Sequence, residues 1–221
     1  MKTLSILVSI LVTVSGGLAH SASDSYCDDI TRLDHLPRLN SEQFKNFFID
    51  GTKVDRIVIS KDRKKLYALR SDVVLKIYDV AFGGAPYGHK QFEGDNKTPE
   101  GTYTIDSKNP ESLFYRGLHI SYPNKADRAY AKSKGKSAGG DIMIHGFPND
   151  PTKNALVTAV HPFYNWTSGC IAVTNLEIEQ LYMMTGKGTT VEICKMSAPP
   201  QTPYPVPPPQ DPNPPAEDVE Q

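Results

Sequence analysis

Between residues 54 and 84 the sequence reads VDRIVISKDRKKLYALRSDVVLKIYDVAFGG. Val54, Ile57 and Ile59 lead into the charged run KDRKK at 61–65, Leu66, Tyr67 and Ala68 follow, and residues 73–80 are β-branched through their centre. Short apolar segments bounded by polar turns read as three successive strands, with KDRKK as a solvated hairpin tip. A Gly/Pro-rich loop follows at 83–101, and GTYTID, FYRGLHISYP, GGDIMIHGF and TTVEICK supply further strands. Two helices are expected: SEQFKNFFID, started by Ser41 and stopped by Gly51, and NLEIEQLYMMT, where Thr174 and Glu177 form a capping box and Gly186 ends the helix. The chain therefore reads as a mainly β domain with one or two short helices.

A chain of 221 residues suffices for one well-buried domain with extensions and is short for two. Residues 1–21 carry Lys2, an apolar run from Leu4 to Val14, and small residues around Ala19, His20 and Ser21. This is the pattern of a secretory signal peptide, and the run is well under the roughly 20 apolar residues a spanning helix needs. No stable membrane span is expected after its cleavage. Cys27 lacks the small and aliphatic residues ahead of it that a lipid-attachment signal uses. Residues 22–52 read as an N-terminal lead-in, 53–196 as the folded domain and 197–221 as a tail. From Ala198 onward the tail holds ten of the 18 prolines and no large aliphatic residue except Val206 and Val219. It cannot bury enough apolar surface to offset its ordering entropy and is expected to be disordered and polyproline-like.

The formal net charge of −1 argues against a nucleic-acid binder, which needs clustered Lys and Arg to neutralise phosphate. Setting aside Lys2 and the four acids of the tail leaves 23 basic against 21 acidic residues, a mildly positive body that would suit an anionic polymer such as a cell wall. Export to an oxidising compartment makes three cysteines an awkward number, since one pair can close and one thiol is left over. Cys27 and Cys194 bracket the domain and make the economical pair, leaving Cys170 free; the two other pairings stay open.

Cys170 sits in HPFYNWTSGCIAVTN, residues 161–175. A nucleophilic cysteine needs a base, a group that orients the base, and donors aimed at the oxyanion. His145, in DIMIHGFPND, follows an apolar strand and precedes Gly146, so it stands at a strand end where a base emerges from a rigid sheet. His161 lies nearer in sequence but in a connection beside Pro162. Ser168, Gly169 and Cys170 can turn so that successive N–H groups point one way, a nest that glycine makes sterically available. The chemistry implied is acyl transfer from a sulfur held ionised beside the imidazole.

The segments IHGFPND and NWTSGCIAVTN, preceded by GHKQFEGDNKTPEGTYTID, resemble in order the catalytic domain of L,D-transpeptidases, the cysteine enzymes that remodel bacterial peptidoglycan. The resemblance extends from about Lys53 to Lys195. It implies a family-specific β-sandwich or mixed β fold, Cys170 as nucleophile, His145 as base, and the Gly146 carbonyl as the group that orients the imidazole. The oxyanion hole it implies lies at Ser168, Gly169 and Cys170, and neither cofactor nor metal is required. Many members have a histidine two residues before the nucleophile and an arginine two after it, where this chain has Ser168 and Ala172. A subgroup with Asp-Trp-Thr-X-Gly-Cys-Ile-Ala-Val matches better, with Asn165 replacing the Asp.

The implied donor is a peptidoglycan stem tetrapeptide, attacked at its third residue with release of D-alanine. The acyl group then passes to another stem as a 3-3 cross-link or to an outer-membrane or wall-anchored protein, all in the periplasm; with water as acceptor the alternative is an L,D-carboxypeptidase, endopeptidase or amidase of the same fold. Trp166 and Asn165 are candidates for the donor groove, and Arg116 and Arg128 for the substrate's carboxylates in place of the missing arginine. Two rivals stand beside this reading. One is a zinc peptidase with His145, His161 and Cys170 as ligands, although no His-X-X-X-His pair or nearby glutamate base supports it. The other is a non-catalytic wall-binding module.

Overall fold

The computed structural model describes residues 25–51 and 53–197. The expected signal peptide and all but the first residue of the expected tail, Ser197, lie outside the described residues. The expected mainly β domain is built on eight strands: β1 (Arg56–Ser60), β2 (Lys65–Arg70), β3 (Val73–Asp79), β4 (Gly101–Ser112), β5 (Tyr115–Ile120), β6 (Met143–His145), β7 (Ile171–Ala172) and β8 (Thr190–Cys194). Four α-helices accompany them: α1 (Ser41–Ile49), α2 (Lys125–Ser133), α3 (Pro151–Val160) and α4 (Asn175–Met184). No described helix is long and apolar enough to cross a membrane.

The strands form one mixed sheet in the order β3-β2-β1-β8-β4-β5-β6-β7. Its 12-residue β4 pairs with β8 at its start and with β5 further on, with register shifts at Ile105/Ser107 and Asn109/Ser112. Such irregularities bend a strand and increase its twist, so one long strand carries the sheet around a corner. The free ends then meet: Ala81, just past β3, exchanges both backbone hydrogen bonds with Ala172 of β7, at 3.0 and 2.8 Å. A single sheet curled on itself thus supplies the two facing layers expected of a sandwich. Ile57, Ile59, Leu66, Ile105, Leu118, Ile144, Ile171 and Val191 fill its interior, together with Ile178, Leu181 and Met184 from α4.

The opposite face of β1–β3 is also buried, because the N-terminal lead-in lies on it. Tyr26 and Leu33 pack with Val58, Tyr67, Leu69 and Val74, and a disulfide joins Cys27 to Cys194 at the end of β8. Two faces in cover explain why β1 and β2 read as nearly continuous apolar runs.

Several local signals hold with corrections. α1 begins at Ser41, but its cap is Asn40, which forms a capping box with Gln43; Thr174 caps α4 with Glu177 as its sequence suggests. The KDRKK turn is not wholly solvated. Lys61 is fully buried, and its ammonium meets the Glu100 carboxylate at 2.7 Å and the Gly88 carbonyl at 3.0 Å. Helices α2 and α3 stand beyond the two short helices expected.

Candidate active site

β6 and β7 run parallel, with Ile144 opposite Ile171 and His145 opposite Ala172. One step back along the same register, Cys170 stands beside Met143. Side chains two apart on a strand share a face, so Met143 and His145 project together toward the surface where Cys170 emerges while Ile144 points into the core. All three line one cleft of about 760 Å³, with Phe114 and Trp166 in its wall and Leu156 and Val157 of α3 along one side. Its surface is mainly apolar. The short parallel pair is what joins the histidine strand to the cysteine turn across 25 residues of sequence.

The turn before Cys170 depends on Gly169. Its φ is +134°, and a Cβ there would lie 2.7 Å from the backbone oxygen of Lys97, in the loop that leads to β4. That region suits glycine alone. Thr167 braces the turn from within: its hydroxyl donates to the Cys170 carbonyl at 2.7 Å and accepts from the Gly169 N–H at 3.1 Å. This corrects the expected oxyanion hole, because the Gly169 N–H is already engaged. The N–H groups of Ser168 and Cys170 have no hydrogen-bond partner among the described residues.

His145 is buried. Its Nδ1 lies 2.7 Å from the carbonyl oxygen of Gly146. A carbonyl only accepts, so the proton of the neutral ring sits on Nδ1 and Nε2 is left with its lone pair. Phe114 packs against the imidazole at a centroid distance of 4.5 Å and Trp166 meets it edge-on at 5.8 Å. Burial in this aromatic setting lowers the imidazole from its ordinary range to about 4, against the Gly146 hydrogen bond, which works the other way. Gly146 is itself closely packed: a Cβ would lie 2.6 Å from Oδ1 of Asn175, which accepts the Phe147 N–H at 2.7 Å.

Cys170 is the one free cysteine among the described residues. Its Sγ lies 3.4 Å from the carbonyl oxygen of Asp141. Burial raises the thiol above its ordinary value; the Met143 backbone N–H acts in the other direction. Burial thus disfavours the charged form of each group, the imidazolium and the thiolate alike.

Of the other expected residues, Trp166 lines the cleft, and its indole N–H is buried with no partner. Asn165 does not line it; its side-chain oxygen accepts the Phe82 N–H at 3.2 Å and holds the turn against the segment after β3. Arg116 is tied to Glu179 and lies over Tyr182, and the exposed Arg128 donates to the Pro123 carbonyl; neither reaches the cleft. His161 packs against Phe147 at 5.1 Å, and His145, His161 and Cys170 do not gather into a three-ligand cluster. The sequence reading missed Asp141 and Lys153, both of which line the cleft. Their signal was weak: Lys153 is one cation in a polar helix start, and Asp141 follows two glycines.

Residues 54–193 match the family model of the L,D-transpeptidase catalytic domain (YkuD). YafK of Escherichia coli strain K12, whose name places it among the L,D-transpeptidases, is 30% identical over 111 residues, 49% of this chain and 36% of that protein. The chain thus spans about a third of the length of the curated relatives it matches. Among solved structures, the helical cell shape determining protein Pgp2 of Campylobacter jejuni aligns at 26% identity and a TM-score of 0.46, over 70% of this chain and 56% of that one. An L,D-transpeptidase of Xylanimonas cellulosilytica aligns at 18% identity and a TM-score of 0.39, over 64% and 61%. The family match takes in β1 to β7, β8 up to Ile193, the histidine at the end of β6 and the cysteine before β7, and the chain belongs to the L,D-transpeptidase catalytic domain family.

Proposed function

We propose that this chain is an exported peptidoglycan L,D-transpeptidase of the bacterial periplasm, with Cys170 as nucleophile and His145 as general base. The observation that carries the reading is the placement of an unpaired thiol and a Gly146-oriented imidazole in one mainly apolar cleft. Nε2 of His145 takes the thiol proton as Sγ attacks the carbonyl of the third stem residue, and the Sγ–C bond forms. The N–H groups of Cys170 and Ser168 receive the oxyanion. The imidazolium then returns the proton to the nitrogen of the departing D-alanine as the C–N bond breaks. An acceptor amine attacks the thioester, loses its proton to His145, and the thiol is restored.

The acceptor is an amine of a second stem, giving a 3-3 cross-link, or of an outer-membrane or wall-anchored protein; attack by water makes the same intermediate a carboxypeptidase or endopeptidase product. The test is incubation of the purified protein with tetrapeptide muropeptides, with products read by mass. Loss of D-alanine with gain of a 3-3 dimer supports transfer, and tripeptide alone supports hydrolysis. No product, together with no Cys170-dependent adduct from a carbapenem, would leave a wall-binding module.

A further inference from the structure

A stem peptide is rich in carboxylates, and the family's arginine two residues after the nucleophile is here Ala172, fully buried on β7 and hydrogen-bonded to Ala81. Alanine there brings no charge to the cleft. Arg116 is committed to Glu179 and Arg128 to a backbone carbonyl away from the cleft. The cleft lining nevertheless contains one Lys and no Arg, and that cation is Lys153. We infer that Lys153 is the specificity-determining residue that pairs with a carboxylate of the acyl donor. This inference rests on the acyl-transfer reading above and deepens it.

The position of Lys153 follows from α3. Asp150 caps that helix by accepting the Lys153 backbone N–H at 2.8 Å, and Pro151 occupies its first position, where no N–H is needed. The cap fixes the backbone of Lys153 in the first turn, while Leu156 and Val157, three and four residues on, line the cleft from the same helix face. The ammonium has no ion-pair or hydrogen-bond partner among the described residues, unlike Lys61, Lys65 and Lys90, which are each paired with an acid. The cleft's single acid, Asp141, turns a 96% exposed carboxylate to solvent near His119 and leaves Lys153 uncommitted. Lys153 is exposed at the rim of the cleft, so its ammonium is free to meet a donor carboxylate and the pair formed is partly screened by solvent. A carboxylate entering past Lys153 gains this pairing, and an amide in its place gains less.

Two carboxylates of a tetrapeptide donor could meet Lys153: the one on the side chain of the third residue, or the C-terminal one of the fourth. The full chain is assayed for the rate of Cys170 acylation with three synthetic donors: both carboxylates free, the third-residue side chain amidated, or the C-terminus amidated. Wild type is expected to prefer the free acid over one of the two amides by about tenfold in kcat/KM, the scale of a partly screened charge-assisted pair; the amide that is penalised identifies the carboxylate. Lys153→Gln should abolish that preference, Lys153→Arg retain it, and Lys153→Glu reverse it. Alkylation of Cys170 by neutral iodoacetamide reports that the nucleophile is intact in each variant. Equal rates for all donors in wild type, or an undiminished preference in Lys153→Gln, would overturn the assignment of Lys153 while leaving acyl transfer standing. Absence of acylation by every donor in wild type would remove the transferase reading and this one with it.

Discussion

The Cys170 thiol lies 3.4 Å from the carbonyl oxygen of Asp141 and donates its hydrogen there, in the cleft that also holds the imidazole of His145. A carbonyl stabilises S–H and offers nothing to S⁻, so this contact and the burial of the sulfur act in the same direction. With the imidazole lowered to about 4, an ion pair between the two is disfavoured at rest. The resting protein is thus expected to show no thiolate ultraviolet absorbance at neutral pH when compared with Cys170→Ala. His145→Ala should slow carbapenem acylation by about 10²–10⁴-fold, the usual contribution of a positioned base, without changing that absorbance. A thiolate band near pH 7 would contradict the neutral pair.

The same burial sets a pH dependence. The unfolded imidazole titrates near its ordinary value of about 6.5 and the folded one near 4, so between those values the unfolded chain binds more protons and stability rises with pH. On acidification through that window the fold should lose up to about 3 kcal/mol from this one group. Activity follows a different rule: the neutral base survives down to about pH 4, so the acid limb of acylation should lie near 4 and not near 6.5. Trp166→Ala, which would admit water beside the ring, should move that limb upward, and Trp166→Phe should leave it in place. Acylation rates and chemical denaturation measured across the acid range check both; a wild-type limb near 6.5 would mean that the ring is wet.

Much of this architecture was legible in the residues. The strands β1, β2 and β3 are β-rich runs punctuated by charge, and Thr174 with Glu177 is a cap that works through local chemistry alone. What escaped was whatever depends on distant partners. Helix α3 buries none of its residues, so no core-facing stripe marks it, and its signal is the Asp150–Pro151 start. Lys61 looks like the rest of KDRKK until Glu100, 39 residues on, is folded against it. That His145 and Cys170 share one cleft was readable because motif order carried it; the desolvation of His145 by Phe114 and Trp166 was not, since it is a property of the assembled cleft.

The Gly169 backbone offers a sharper test of the turn than the nucleophile does. A methyl group at φ +134° would sit in a region essentially reserved for glycine and 2.7 Å from the Lys97 carbonyl oxygen, which is backbone and cannot swing aside. Gly169→Ala should therefore displace the Cys170 N–H and lower carbapenem acylation by about 10²-fold or more, the usual cost of losing one oxyanion donor. Gly186→Ala is the control, because nothing lies within 4 Å of its Cβ. Comparable acylation rates in the two variants would mean that the turn tolerates displacement and does not hold the oxyanion donors.

The disulfide between Cys27 and Cys194 closes a sequence separation of 167 residues and holds the lead-in on the outer face of β1–β3, away from the cleft. In the chain-entropy account, a loop longer than 100 residues contributes about 5 kcal/mol by restricting the unfolded chain. Cys27→Ser should lower the melting temperature by about 10 °C or more, given a shift of about 2–4 °C per kcal/mol for a chain of this size. The outer cluster of Tyr26, Leu33, Val58 and Val74 should open first, since the lead-in would then be held by packing and by the Ser25 and Tyr26 hydrogen bonds to Glu192. Below the melting transition the rate of Cys170 acylation should match wild type, because Cys27 and Cys194 belong to the outer cluster and neither lines the cleft. Scanning calorimetry together with acylation kinetics separates the two effects: an unchanged melting temperature would show that packing alone holds the lead-in, and a slower acylation would show that the outer face is coupled to the cleft through β8 and β4.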